Sequence, residues 1–401
     1  MLEELFYLHR KCVEGVPLKF KRYLYDKIDW NSPHVCVTGF RGTGKTTLLL
    51  QHYTERYNDI EKCLYVSADN VEVAAVGLFK TASAYFKFGG EAIIIDEIHK
   101  YPQWDLELKN IIDTFKNKRV LVSGSSSLDL KKGKADLSRR VVYYNLRELS
   151  FREYLELKEN IIFPPLPLDE MLRHHTRISS DISTGRPILK YFRNYLSTGA
   201  YPFIVEGEAT YLSKLLNVVE KVIYEDIAVA GDMKQSNIPV LKKILWLIAS
   251  SVPFHVNIDK MSRELGISKE YVYTYLEYLD ASGMISSIAS GGKGYKLTRK
   301  PSKVLMGNSN LLFAVNSSMM AESEKGTVRE TFFANQLKCR LRTTLSDHGD
   351  FKVDDRYVFE VGGPGKNERQ IKGVPDSYVA ADGIEVGFGN RIPLYLFGFL
   401  Y

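Results

Sequence analysis

The eight residues Gly39-Phe-Arg-Gly-Thr-Gly-Lys-Thr46 fit the spacing G-x-x-x-x-G-K-[ST]. Glycines at 39, 42 and 44 let the backbone turn its N–H groups inward around phosphate oxygens, with Arg41, Thr43 and Thr47 filling out the loop. Lys45 is then placed to reach β- and γ-phosphates, and the Thr46 hydroxyl to hold Mg²⁺. A helix beginning at Lys45 adds the positive end of its dipole. Downstream, Glu91-Ala-Ile-Ile-Ile-Asp-Glu97 ends an apolar run in two carboxylates. Asp96 would complete the Mg²⁺ shell beside Thr46, and Glu97 would orient and polarise an attacking water. That pairing suits hydrolysis. Ser125, in Gly124-Ser-Ser-Ser127, offers a hydroxyl toward the γ-phosphate or that water. Arg139 and Arg140 offer a guanidinium that could act as an arginine finger toward a neighbouring subunit. The Asn-Lys-x-Asp string of guanine sites is absent where Asn117-Lys118-Arg119-Val120 comes nearest, which favours ATP.

These residues need a scaffold that brings strand ends together. Strand-like runs at Val35–Thr38, Cys63–Ser67, Ala92–Asp96, Arg119–Ser123 and Val141–Asn145 alternate with helix-like stretches such as Asp105–Lys116. Alternation of this kind predicts an α/β fold with a parallel P-loop sheet whose ligands sit at the carboxyl ends of its strands.

Length and charge bound the rest. The chain has 401 residues, 45% hydrophobic and 25% charged, so two or three globular domains are expected. A net charge of +6 permits contact with nucleic acid without demanding it. Cys12, Cys36, Cys63 and Cys339 show no paired spacing, which argues against zinc or a disulfide framework and suits a reducing cytoplasmic setting. No early apolar run suggests a signal peptide, and no stretch approaches the roughly 20 residues that span a bilayer, so no membrane partner is expected.

The set Gly39–Thr46, Ile93–Trp104 and Gly124–Leu128 resembles prokaryotic AAA-superfamily ATPases, in particular those whose ATPase domain precedes a C-terminal region of unknown function. Asp136–Arg140 and Leu149–Leu155 fit the same group. The resemblance implies ATP and Mg²⁺ binding, with Lys45, Thr46, Asp96 and Glu97 in the roles given above. Asp96-Glu97-Ile98-His99 also invites comparison with helicases of the Asp-Glu-x-His type. Those need a second α/β domain that the remaining sequence does not suggest.

Four ranges follow from these patterns: an ATPase domain over 1–148, a helical lid over 149–230, a winged helix over 231–305 and a small α+β nuclease-like domain over 306–401. Asp259–Leu265, Gly266, Ser268 and Lys269–Leu279 read as helix, turn, helix. Met284–Ile288, Gly291–Gly294 and Tyr295–Thr298 read as a hairpin wing. Lys293, Lys296, Arg299, Lys300 and Lys303 make it basic, but Glu270 and Glu277 oppose phosphates on the presumptive recognition helix. Toward the end, a helix over Gly326–Leu337 carries Glu330 inward, a hairpin turns at Asp354-Asp355, a further helix starts at Asn367, and closing strands cover Ala380–Gly387 and Leu394–Gly398. This order resembles the restriction-endonuclease core. Asp354 and Glu360 would be its carboxylates; Gly362 stands where its lysine belongs, with Lys366 or Lys372 as substitutes. The sequence therefore predicts a Mg²⁺-dependent ATPase, with DNA and further copies of the chain as possible partners. A nucleotide-gated binding protein and an ATP-regulated nuclease are the alternatives.

Overall fold

The computed structural model describes residues 2–124, 137–228, 233–251, 254–255, 257–290 and 302–401. Ser125, Lys293, Lys296, Arg299 and Lys300 lie outside this set, as does the expected wing at 291–298. The chain forms two compact units, Met1–Glu148 and Leu149–Tyr401. The ranges 149–230, 231–305 and 306–401 all lie within the second unit.

In the first unit, five parallel strands lie in the order β2-β3-β4-β1-β5. They are β1 (His34–Thr38), β2 (Cys63–Ser67), β3 (Ala92–Asp96), β4 (Arg119–Gly124) and β5 (Val142–Asn145). The three central strands β1, β3 and β4 are buried almost throughout, as expected of β-branched runs covered by helices on both faces. Helix α1 (Leu2–Val13) runs beside the edge strand β2, α2 (Lys45–Arg56) follows the glycine loop, and α5 (Trp104–Thr114) precedes β4; α3 (Val71–Val76) and α4 (Leu78–Phe88) lie between β2 and β3. Two apolar clusters sandwich the sheet, one containing Ile93, Ile95 and Tyr85, the other Val35, Leu48 and Ile94.

The segment between α1 and β1 wraps α2. The Gln51 amide donates to the Pro17 and Phe20 carbonyls at 2.6 and 2.8 Å. Trp30 stacks on His52 with ring centres 3.8 Å apart.

In the second unit, helices Phe151–Glu159, Leu168–Ser183, Ile188–Thr198 and Tyr211–Lys221 pack against the C-terminal residues. Ser179 Oγ accepts from Gly387 N, and the Gln336 amide donates to the Tyr195 hydroxyl. A free-standing lid is therefore replaced by helices sharing a core with 306–401. Helices Ile238–Ser250, Ile258–Leu265 and Lys269–Ala281 accompany a three-stranded sheet in the order β6-β8-β7; β6 (Phe254–His255) lies between the first two helices, and β7 (Ile285–Ile288) and β8 (Lys303–Met306) follow the third. Asn257 and Ser268 cap the second and third of these helices, and Gly266 turns between them at φ 66°. A second five-stranded sheet runs β13-β12-β11-β10-β9. Its strands are β9 (Thr343–Leu345), β10 (Phe351–Val353), β11 (Tyr357–Gly362), β12 (Ser377–Ala381) and β13 (Arg391–Pro393), flanked by the helix Lys325–Lys338.

Three expectations fail here. The strand expected over Ala380–Gly387 survives only at Ala380 and Ala381, the end of β12, and turns follow. Residues 367–376 form turns rather than a helix. Leu394–Phe399 is a 3₁₀ helix, not a strand. It is buried on all sides, and a short run that is apolar throughout has no periodicity to distinguish the two.

Candidate functional site

The first sheet sets the glycine loop between the end of β1 and the start of α2. Gly39, Gly42 and Gly44 take φ values of 153°, 85° and 94°, which side chains rarely adopt. A Cβ on Gly39 would collide with the Leu146 carbonyl oxygen. Lys45 is 4% exposed, and its Nζ donates to the Gly39 and Phe40 carbonyls at 3.1 Å each. Thr43 is buried and donates to the Phe40 carbonyl. Arg41 and Thr47 are half-buried on the loop and the first helical turn.

Asp96, at the end of β3, is the hub of the site. The Thr46 hydroxyl donates to Asp96 Oδ2 at 2.7 Å, and the Tyr65 phenol to the same oxygen at 2.9 Å. Ser123 donates to Asp96 Oδ1. The Ser123 hydroxyl also accepts from Glu97 N at 3.1 Å, which couples the two acidic residues through one side chain. Glu97 is left-handed at φ 50° and ψ 39°, and its carboxylate lies 3.7 Å from the buried His99 imidazole. Lys45 and Thr46 thus open α2, and Asp96 and Glu97 lie at the end of β3, with Thr46 bonded to Asp96.

Ser123, Tyr65, His9 and Arg22 were not expected. Ser123 lies on β4, which pairs with β3. Tyr65 and His9 give no local signal, because only the order of the strands brings β2 beside β3. Arg22 is 4% exposed. It donates to the carbonyl of Thr43 in the loop, to that of Arg147 at 2.7 Å and to that of Glu148 at 2.9 Å.

Arg140 forks onto Asp113 of α5, with Nε–Oδ1 2.8 Å and Nη2–Oδ2 3.1 Å, so its guanidinium is engaged within its own chain. Arg139 is exposed.

In the second unit, Glu360 is fully buried on β11 and pairs with Lys366 Nζ at 2.6 Å. Asp354 is not its neighbour. Asp354 and Asp355, at φ 50° and 55°, make the left-handed turn between β10 and β11, and Asp354 accepts from Arg342 N. The acid near Glu360 is Asp350, whose Oδ2 accepts from Val361 N at 2.7 Å. Glu330 pairs with the buried Lys303. Burial pushes the carboxyls of Glu360 and Glu330 above the usual range, against the pull of their lysines. Lys372 is exposed on the turns beyond. Among the described residues, no three His, Cys, Asp or Glu side chains gather as a metal-ligand set. No helix among them is long and apolar enough to cross a membrane.

Residues 31–155 match the AAA domain family, and residues 189–321 match a domain of unknown function. An uncharacterized protein of Methanocaldococcus jannaschii is 28% identical over 284 residues, covering 67% of this chain; the chain spans 59% of that relative's length. Among solved structures, AMPPCP-bound DnaA from Aquifex aeolicus is similar at a TM-score of 0.27 and 14% identity, over 69% of this chain and 86% of that one. The S. cerevisiae Hsp104–ADP complex is similar at 0.27 and 15%, over 69% and 38%. Both likenesses are distant. The glycine loop and the parallel strand order are those of a P-loop nucleotide-binding fold, and within it residues 31–155 are similar to the AAA domain family.

Proposed function

We propose that the first unit binds ATP with Mg²⁺ and hydrolyses it, driving a conformational change of the chain. The observation that carries this reading is the Thr46–Asp96 contact of 2.7 Å at the mouth of the glycine loop, with Glu97 next in the chain. The residues fit the groups. Backbone N–H groups of Gly42, Thr43 and Gly44 and the Lys45 ammonium suit phosphate oxygens, and the Thr46 hydroxyl and Asp96 carboxylate suit a hard divalent cation. Bound Mg²⁺ would supply charge neutralisation at the β- and γ-phosphates. Lys45 exchanges the Gly39 and Phe40 carbonyls for phosphate oxygens. Glu97 orients a water and takes its proton, with Ser123, and Ser125 beyond it, as neighbouring hydroxyls.

Steady-state ATP hydrolysis by the wild type and by Glu97→Gln tests this. The wild type should turn over only with Mg²⁺, and the variant should lose about 10²–10⁴-fold in turnover while still binding ATP. Equal, slow turnover in both would leave a nucleotide-gated binding protein instead.

The order β6-β8-β7 behind three helices supports a winged-helix reading of the second unit, and so a link to DNA. DNA binding should weaken steeply as salt rises and should fall on substitution of Lys293 and Lys296. Absence of binding would remove that link. The nuclease alternative draws less support, because both Glu330 and Glu360 are engaged by lysines. Metal-dependent cleavage that Glu360→Ala abolishes would restore it. Arg139 or Arg140 would serve as an arginine finger in a homo-oligomer, Arg140 only after leaving its pair with Asp113. The scattered spacing of Cys12, Cys36, Cys63 and Cys339 supports a reducing, cytoplasmic setting.

A further inference from the structure

Tyr65 belongs to no phosphate-loop motif, yet its phenol reaches the carboxylate at the centre of the site. It sits on the edge strand β2, is 7% exposed, and packs its ring in the core on the α2 side of the sheet. Its hydroxyl donates to Asp96 Oδ2 at 2.9 Å, on the oxygen that also receives Thr46. Ser123 takes the other oxygen. The carboxylate is therefore held from β2, β4 and α2 at once.

The backbone under Tyr65 is fixed separately. As an edge strand, β2 presents N–H groups with no strand partner, and His9 of α1 accepts from Tyr65 N through Nδ1 at 2.9 Å. Burial, with Arg10 nearby, pushes the His9 pKa down to about 4, so the imidazole stays neutral and able to accept. Burial and the Asp96 charge hold the Tyr65 phenol protonated, so it stays a donor.

We propose that Tyr65 is a positioning residue for the magnesium carboxylate. Its phenol keeps Asp96 oriented when the Thr46 hydroxyl turns from Oδ2 to the metal. Without Tyr65, Oδ2 would lose the second of its two donors among the described residues when Thr46 leaves, and Ser123 would be the side chain among them left holding the carboxylate. The inference rests on the ATP–Mg²⁺ reading of the site.

The test is Mg²⁺ titration of fluorescent ATP-analogue binding by the full chain, beside binding in EDTA. Tyr65→Phe removes one oxygen and keeps the ring. It should raise the Mg²⁺ midpoint about tenfold, the size expected for one hydrogen bond to a charged group, with EDTA binding within about twofold of wild type. Mn²⁺ binding to the ADP complex, followed by EPR, should weaken in parallel. Thr46→Ala and Asp96→Asn serve as references. If both shift the midpoint and Tyr65→Phe does not, the Tyr65 role is overturned while the site reading stands. Equal loss with Mg²⁺ and in EDTA would mean a packing role only, which also overturns it. If none of the three shifts the midpoint, the ATP–Mg²⁺ reading fails and this inference fails with it. Should Tyr65→Phe lower the melting temperature markedly, Ser123→Ala, which strips the other oxygen, decides the matter. A raised midpoint supports a held carboxylate, and an unchanged one overturns it.

Discussion

At Glu97 the backbone turns left-handed, a conformation that costs a residue bearing a Cβ about 1 kcal/mol or more. The strain falls on the residue assigned to the water. Glu97→Gly should therefore be about 1 kcal/mol more stable than Glu97→Ala in urea unfolding, although both lack turnover. Gly39 poses the opposite case. Its φ of 153° and its closeness to the Leu146 carbonyl leave no room for a methyl group. Gly39→Ala should weaken ATP binding by at least about tenfold in a direct binding assay, because the loop must open to admit the Cβ.

Among the elements, the helix Phe151–Glu159 shows how local chemistry fixes a boundary. Ser150 and Glu153 form a capping box: Ser150 N donates to Glu153 Oε2 at 3.0 Å, and Glu153 N to Ser150 Oγ at 3.2 Å. The box is buried, so Ser150→Ala should cost about 1–2 kcal/mol by urea unfolding. Signals of this local kind were legible in the sequence. The glycine loop, the Ile93–Ile95 strand with its acids, and the Ser268 cap all announce themselves within a few residues. Contacts set by strand order were not. Nothing near Tyr65 says that β2 will lie beside β3. Ser125, chosen among the serines 125–127, lies outside the described residues, while the pairing of β4 with β3 brings Ser123 to Asp96. Asp354 sits at the hairpin, where its φ of 50° serves the turn.

For the whole molecule, stability should follow histidine burial. His9 is held at about 4 and His52 at about 3, both mainly by burial, against an ordinary value of 6.5. Between those values and about 6.5 the unfolded chain binds more protons than the folded one, so stability falls as pH drops through that window. His9→Gln keeps an acceptor for Tyr65 N. It should show a shallower loss of melting temperature between pH 7 and pH 5 than the wild type. In the second unit, Lys303 of β8 and Glu330 of the helix Lys325–Lys338 join the three-stranded sheet to the C-terminal layer through a buried pair. Lys303→Met should cost about 3–5 kcal/mol, and the double variant with Glu330→Leu should recover much of that by urea unfolding.

The Arg22 guanidinium joins carbonyls 21, 125 and 126 residues away in sequence. Such a fastening ties the glycine loop to the exit from β5. It also redraws that unit's working limits. The family match begins at residue 31, but Arg22, His9 and the Gln51-bound segment before Trp30 are structural parts of the nucleotide site. A fragment trimmed to the matched borders would keep every motif residue and lose the clasp that holds them in register.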